Sequence, residues 1–161
     1  MAEAYIQEAR PSDVPELIGL FRELAAWEKL EDRLMLTEEQ LAHALFQSRV
    51  ARAAIARREG RAVAMTLFYP HFAAFTGKTT LYMEQLVVSE AFRGQGIGRQ
   101  MIRYLADLAL REGYNRLEWP CMVDNHRALG FYAALGAKRL TDRVGMRLER
   151  EDLITLSGGG L

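Results

Sequence analysis

The stretch Arg93-Gly94-Gln95-Gly96-Ile97-Gly98 restricts this chain more than any other. It follows an apolar, strand-like run at 81–88 and opens onto a strongly helical run at 99–111. Three glycines therefore fall where a strand gives way to a helix. The first N–H groups of such a helix have no intrahelical acceptor, and the helix dipole adds positive charge behind them. A phosphate or diphosphate is the ligand that this junction favours.

Three phosphate-loop patterns compete for it. A dinucleotide fingerprint needs G-x-G-x-x-G, yet Arg99 stands at the third glycine position. Glu118 falls near the spacing of about 20 residues at which a ribose-binding acid is required, so that fit is partial. A nucleotide P-loop needs G-x-x-x-x-G-K-[ST]. Gly77-Lys78-Thr79 supplies its end, but Phe72 occupies the earlier glycine position and a strand follows, so Gly77-Lys78 reads as a turn. The pattern [QR]-x-x-G-x-[GA] is met in full by Arg93, Gly96 and Gly98. A glycine-rich connection with no ligand is the remaining reading.

At 161 residues the chain suits one domain over 1–156, with a flexible tail at 157–161 rich in glycine. Lys plus Arg and Asp plus Glu are 21 each, which argues against a nucleic-acid surface built on bulk charge. No run reaches membrane-spanning length, and Met1-Ala2-Glu3-Ala4-Tyr5 has no signal-peptide character. The single Cys121 has no intrachain partner and fits a reducing cytoplasm. As a nucleophile it would need a His and an Asp at recognisable spacing, and none is found. His43, His71 and His126 are scattered without metal-ligand spacing, so no metal is expected.

Periodicity divides the chain into elements. A strand is expected at 4–8, then a helix opened by Asp13 and Glu16 as a capping box, burying Leu17, Phe21, Leu24 and Ala25. Thr37 and Gln40 repeat that box before a helix facing inward through Leu41, Leu45 and Phe46. Strands at 51–58 and 61–69 flank the Glu59-Gly60 turn, and 70–78 reads as a loop. The run 81–88 has the character of a central strand. Met101, Ile102, Leu105, Leu108 and Ala109 make the next helix amphipathic. A short strand follows at 117–120. Asn125 then caps a helix over 126–135, which Gly136 stops. Residues 144–150 and 152–156 remain as closing strands. The class is α+β (mixed α/β), not a regular Rossmann alternation.

That element order resembles the GNAT acyl-CoA N-acyltransferases over nearly the whole chain. Leu24-Ala25-Ala26-Trp27-Glu28 running on to Leu36-Thr37-Glu38, then Leu81-Tyr82-Met83-Glu84-Gln85 with Leu86-Val87-Val88, are similar to the diamine (spermidine/spermine) and thialysine acetyltransferase branch. So is Asn125 through Phe131-Tyr132 to Gly136-Ala137. The resemblance implies a central mixed, mostly antiparallel sheet, splayed between the fourth and fifth strands and flanked by helices. It implies acetyl-CoA as donor, a small-molecule primary amine as acceptor, direct transfer in a ternary complex, and a homodimer. Membrane and nucleic-acid partners are not expected.

The resemblance also assigns residues. Leu86, Val87 and Val88 would border the pantetheine arm. Arg93, Gly94, Gln95, Gly96, Ile97, Gly98 and Arg99 would hold the pyrophosphate, with Asn125 and Ala128 along the cofactor. Glu84 would deprotonate the amine through water, with partial burial raising its pKa. Its ordinary reading is a residue on the solvent face of a strand. Tyr132 would protonate the departing thiolate; its ordinary reading is a core tyrosine beside Phe131. Trp27, Glu28, Glu84 and Gln85 would meet the acceptor.

The acceptor side departs from the family pattern. Trp27 stands for a tyrosine, Gln85 for an acid, and Arg143-Val144 for an acidic pair. A polycation site needs several carboxylates, so these changes weaken the polyamine case, and an Arg143 that meets a carboxylate would favour an amino-acid-like amine. Arg143 could also simply pair with Asp142 at the surface. A protein lysine or N-terminal acetyltransferase and a non-catalytic acyl-CoA-binding module remain as alternatives.

Overall fold

Strand pairing in the computed structural model, which describes residues 3–158, starts with a four-strand antiparallel meander. The strands are β1 (Tyr5–Glu8), β2 (Arg52–Arg58), β3 (Arg61–Ala73) and β4 (Lys78–Val88). A fifth, β5 (Leu117–Glu118), joins parallel to β4, giving the order β1-β2-β3-β4-β5. Glu59 and Gly60, with φ of 51° and 78°, make the tight β2–β3 turn expected of them.

Helix α1 (Val14–Glu28) buries Val14, Leu17, Ile18, Leu20 and Ala25, and Phe21 and Leu24 pack against the same cluster. Leu41 and Leu45 join it from α2 (Glu38–Ala42), which continues as one π-helical turn, His43–Gln47. The Thr37–Gln40 capping box forms: Gln40 N–H donates to Thr37 Oγ1 at 3.1 Å, and Thr37 N–H to Gln40 Oε1 at 3.0 Å. Ala53, Ile55, Met65 and Val87 complete this core from the sheet. Strand alternation turns Ala54, Ala56 and Ala64 the other way. The sheet contacts α3 (Ile97–Arg111), whose buried stripe is Ile97, Met101, Ile102, Leu105, Leu108 and Ala109. Burying side chains such as Leu17, Ile55 and Met101 contributes roughly 1.5–3 kcal/mol each.

Four expectations are corrected. Asp13 does not box with Glu16; it accepts the Arg10 N–H at 2.8 Å, and both carboxylates pair with Arg57 at 2.7 Å. Residues 70–78 are not a loop, because β3 runs on to Ala73 and only 74–77 turn. Pro70 is tolerated there for a clear reason. Its partner Leu81 donates its N–H away from β3, to Arg116 O, so the Pro70–Leu81 pair exchanges no ladder bonds. Beyond Phe68, β3 also has no β2 partner, so the missing donor faces a free edge. Residues 144–150 and 152–156 are not strands: 150–156 winds into a helix, described below, and 144–149 forms no regular element and has no ladder partner among the described residues.

The chain divides into two compact units, Met1–Met122 and Val123–Leu161. The second holds α4 (His126–Ala134) and α5 (Arg150–Leu156). Asn125 caps α4, accepting the Ala128 N–H at 3.0 Å. Gly136, at φ 86°, closes it in a Schellman turn, Ala137 N–H reaching Tyr132 O and Gly136 N–H reaching Ala133 O. Glu149 N–H donates to Asp152 Oδ2 at 3.1 Å, a capping box that favours helix over strand at α5. Of the expected flexible tail, Ser157 and Gly158 continue the α5 winding, and 159–161 lie outside the described residues.

Candidate active site

The register of β3 against β4 slips at one place. Leu67 faces Gln85 and Phe68 faces Met83, so Glu84 is the extra residue of a β-bulge. The bulge changes which residues address the far edge of β4. Before it, Leu81 N–H points to β5. After it, Ser89 N–H donates to Val63 O at 2.9 Å, so Val87 and Gln85 also face β3 by alternation. Leu86 and Val88 therefore turn their N–H and C=O groups the opposite way. No strand meets them there among the described residues, because β5 pairs only at Leu81 and Tyr82. The sheet is thus splayed between β4 and β5, leaving a stretch of β4 edge between Glu84 and the glycine loop on which only Val88 O is engaged, by Arg93 Nε, among the bonds described.

The loop closes the end of that edge. Gly94 and Gly96 adopt φ of 74° and 80°, a left-handed region that costs other residues roughly 1–2 kcal/mol. Gly96 is the N-cap of α3, and no side chain caps it. The N–H groups of Ile97, Gly98 and Arg99 in the first turn thus lack intrahelical acceptors. A free strand edge running into an uncapped glycine cradle fits a ligand with a peptide-like arm and a diphosphate, as CoA has. The Arg93 guanidinium does not point into open solvent. Its Nε donates to Val88 O at 3.1 Å, and its Cζ lies 4.1 Å from the centroid of the Trp27 ring.

Glu84 is solvent-exposed, where partial burial was expected, because the bulge pushes its side chain out of the ladder. Tyr69 and Tyr82 stand next to it as a directly opposed pair, ring centroids 5.1 Å apart. Burial pushes both phenols up, and the charge of Glu84 adds to this in each; Glu118 acts further on Tyr82. Both therefore stay protonated hydrogen-bond donors beside the carboxylate. Sequence reading missed this pair, since their opposition depends on the β3–β4 register. Gln85 turns its carbonyl to Thr66 Oγ1 at 2.8 Å. Glu28 is exposed at the end of α1, where Lys29 turns the chain at φ 57°.

In the second unit, Asn125 and Tyr132 lie about two turns apart on α4. Tyr132 packs on Phe131 at 5.1 Å between centroids and is half-buried. Arg143 pairs with Asp142 at 3.2 Å, and that pairing holds the Asp142 carboxyl below its ordinary range. No group of three His, Cys, Asp or Glu able to hold a metal occurs among the described residues.

Known proteins resemble this chain in sequence and fold. The acetyltransferase (GNAT) family model matches residues 15–137. Thialysine N-epsilon-acetyltransferase of Bos taurus is 34% identical over 98% of this chain and 99% of its own length. Spermidine/spermine N(1)-acetyltransferase-like protein 1 of Homo sapiens is 29% identical over 94% of this chain, a match spanning 23% of that protein. The solved integron cassette protein from the mobile metagenome of V. cholerae superposes with a TM-score of 0.83 at 25% identity, covering 98% of this chain and 99% of that one. Fold and relatives together define an acyl-transferring enzyme. The chain belongs to the GNAT acetyltransferase family.

Proposed function

We propose that this enzyme moves the acetyl group of acetyl-CoA directly to a primary amine of a small molecule, in a ternary complex. The observation that carries the reading is the free β4 edge at Leu86 and Val88 running into the glycine cradle, with Glu84 at the bulge. Acetyl-CoA supplies an acetyl group activated as a thioester. Leu86 and Val88 hold the pantetheine arm by backbone hydrogen bonds, Val87 filling the core behind them. Arg93 to Arg99 hold the pyrophosphate, and Asn125 and Ala128 contact the cofactor arm.

Glu84 takes a proton from the amine through water, freeing the nitrogen lone pair. The C–N bond forms as the C–S bond breaks. Tyr132 returns a proton to the sulfur. An exposed Glu84 suits a base that must recover its proton balance from solvent in each cycle. Glu28 and Gln85 belong to the acceptor side, while Trp27, expected there too, backs Arg93 at the cradle.

The acceptor class is a polyamine, a diamine or a lysine-like amino acid. Among these the amino acid has more support. The relatives of Sus scrofa, Bos taurus and Mus musculus carry the name thialysine N-epsilon-acetyltransferase, and an Arabidopsis thaliana relative, 24% identical, is an L-ornithine N5-acetyltransferase. The family match at 15–137 crosses the boundary at Met122, which supports the two units working as one domain. The working form is a homodimer, supported by apolar side chains left exposed near the C-terminus. The setting is cytoplasmic, in keeping with the single cysteine and with no helix long and apolar enough to cross a membrane among the described residues.

A thiol-release screen over thialysine, lysine, ornithine, spermidine, spermine, amino sugars and peptides tests the reading. Glu84→Gln and Tyr132→Phe are expected to lower turnover roughly 10²–10⁴-fold while CoA affinity stays near wild type. Acetylation confined to peptides would overturn the small-amine assignment. Wild-type turnover in both variants would overturn the two roles.

A further inference from the structure

Two arginines stand beside the glycine cradle with no part in the transfer step. Arg58 ends β2 and Arg61 begins β3, on either side of the Glu59-Gly60 turn. Arg58 Nη1 donates to Gln95 Oε1 at 2.6 Å, and Gln95 Nε2 donates to Ala91 O at 3.0 Å. One side chain thus ties the hairpin to a residue of the loop itself. Phe92, two residues before Gly94, lies under both cations. Arg58 Cζ is 5.9 Å and Arg61 Cζ 5.7 Å from its ring centroid.

Two guanidinium groups drawn to one ring repel each other, and a dianion near both removes that conflict. Guanidinium forks also match phosphate oxygens in pairs. The acids close by in sequence are Glu59 in the turn and Glu90 before Phe92, both exposed. Neither forms an ion pair with Arg61 among the described residues.

We propose that Arg58 and Arg61, braced on Phe92, recognise the 3′-phosphate of CoA and make the enzyme select CoA over 3′-dephospho-CoA. The inference rests on the donor reading above. Backbone N–H groups at the start of α3 suffice for the pyrophosphate. The 3′-phosphate is a monoester carrying about −1.5 to −2 charges at neutral pH, so it calls for paired cations instead. The Arg58–Gln95 bond puts those cations within one side chain's reach of the cradle.

Titration calorimetry on the full chain, with CoA and then 3′-dephospho-CoA, tests this without turnover. Wild type is expected to bind CoA roughly tenfold or more tightly than the dephospho form, with a steeper loss of affinity as salt is added. Arg61→Ala and Arg58→Met should each remove most of that preference by weakening CoA, leaving dephospho-CoA within about twofold. Arg61 is exposed, so its variant decides the matter if loss of the Gln95 tie unfolds the other. Equal binding of the two compounds by wild type, or equal weakening of both in Arg61→Ala, overturns the phosphate site and leaves CoA as donor. Failure of wild type to bind either compound overturns the donor reading, and this inference with it.

Discussion

Arg93 and Trp27 form one stacked unit, the guanidinium carbon 4.1 Å from the indole centroid. The same guanidinium holds Val88 O at 3.1 Å. Trp27 lies in the last turn of α1 and Arg93 opens the glycine loop, so the stack links the helical layer to the mouth of the cradle. A second link lies one turn earlier on α1. Glu23 Oε1 accepts the Ser89 hydroxyl at 2.9 Å and the Glu90 N–H at 2.5 Å. Together they fix where β4 ends and where the loop begins.

The stack makes Trp27 testable as a donor-side support against its expected acceptor role. Trp27→Ala should raise KM for acetyl-CoA by roughly twofold to fivefold, the scale of an exposed cation–π contact. KM for the amine should hold. Trp27→Tyr keeps an aromatic face and should restore most of the donor affinity. Steady-state kinetics with each substrate varied in turn separates the cases; a rise in the amine KM alone would return Trp27 to the acceptor side.

The two backbone faces of β4 predict opposite outcomes for neighbouring prolines. Leu86 N–H faces the free edge, so Leu86→Pro removes no ladder bond to β3. It should fold, yet lose CoA affinity by about tenfold or more, since a donor to the bound arm is gone. Val87 N–H faces β3 and its side chain is buried, so Val87→Pro removes a ladder bond inside the sheet and should fail to fold stably. Thermal melts and CoA titration of both variants check this. Undiminished CoA binding by a folded Leu86→Pro would exclude that edge as the arm's site.

What could be read in advance was local. The glycine cradle, the Thr37–Gln40 box, the Glu59-Gly60 turn and the Asn125 cap depend on residues a few positions apart. The splay between β4 and β5 was legible only as a resemblance, because the bulge at Glu84 exists relative to β3 and no pattern within β4 encodes it. The Tyr69–Tyr82 pair and the Arg58–Gln95 tie join residues 13 and 37 positions apart. Pro70 misled because a proline usually ends a strand, and its harmless position on a free edge is a fact of register. Residues 144–150 misled in the other direction, since a segment left over for a strand still needs a partner strand, and the order of elements does not supply one.

Two carboxylates make stability depend on acid. Hydrogen bonding to Arg57 holds Glu16 below its ordinary range, and hydrogen bonding to Arg52 does the same for Glu112. Folded pKa values that are depressed stabilise the fold at pH above the unfolded value and lose that contribution as pH falls through the folded one. Melting temperature should therefore hold from neutral pH to about 5 and decline below about 4.3, the unperturbed glutamate value. Arg57→Met should melt lower at pH 7 and show a shallower decline over the acid window, because Glu16 then titrates normally. Parallel declines in the two proteins would assign the acid sensitivity elsewhere.

The segment before α5, outside any regular element, carries the case for self-association. Val144, Met146 and Leu148 alternate along it and are 82%, 89% and 53% exposed. Arg143, Gly145, Arg147 and Glu149 fill the positions between them. A period of two with one apolar side is the pattern of a strand that buries one face, and here no strand of the chain pairs with it among the described residues. A second copy is the partner that the proposed homodimer supplies. Light scattering on a sizing column should then give twice the 18.3 kDa chain mass. Burying one such side chain contributes about 1.5–3 kcal/mol, so Met146→Asp should weaken the dimer by roughly one to two powers of ten in Kd. Wild type that stays at the single-chain mass at high micromolar concentration would remove the dimer from the proposal, and a Met146→Asp dimer of unchanged Kd would move the interface off this segment.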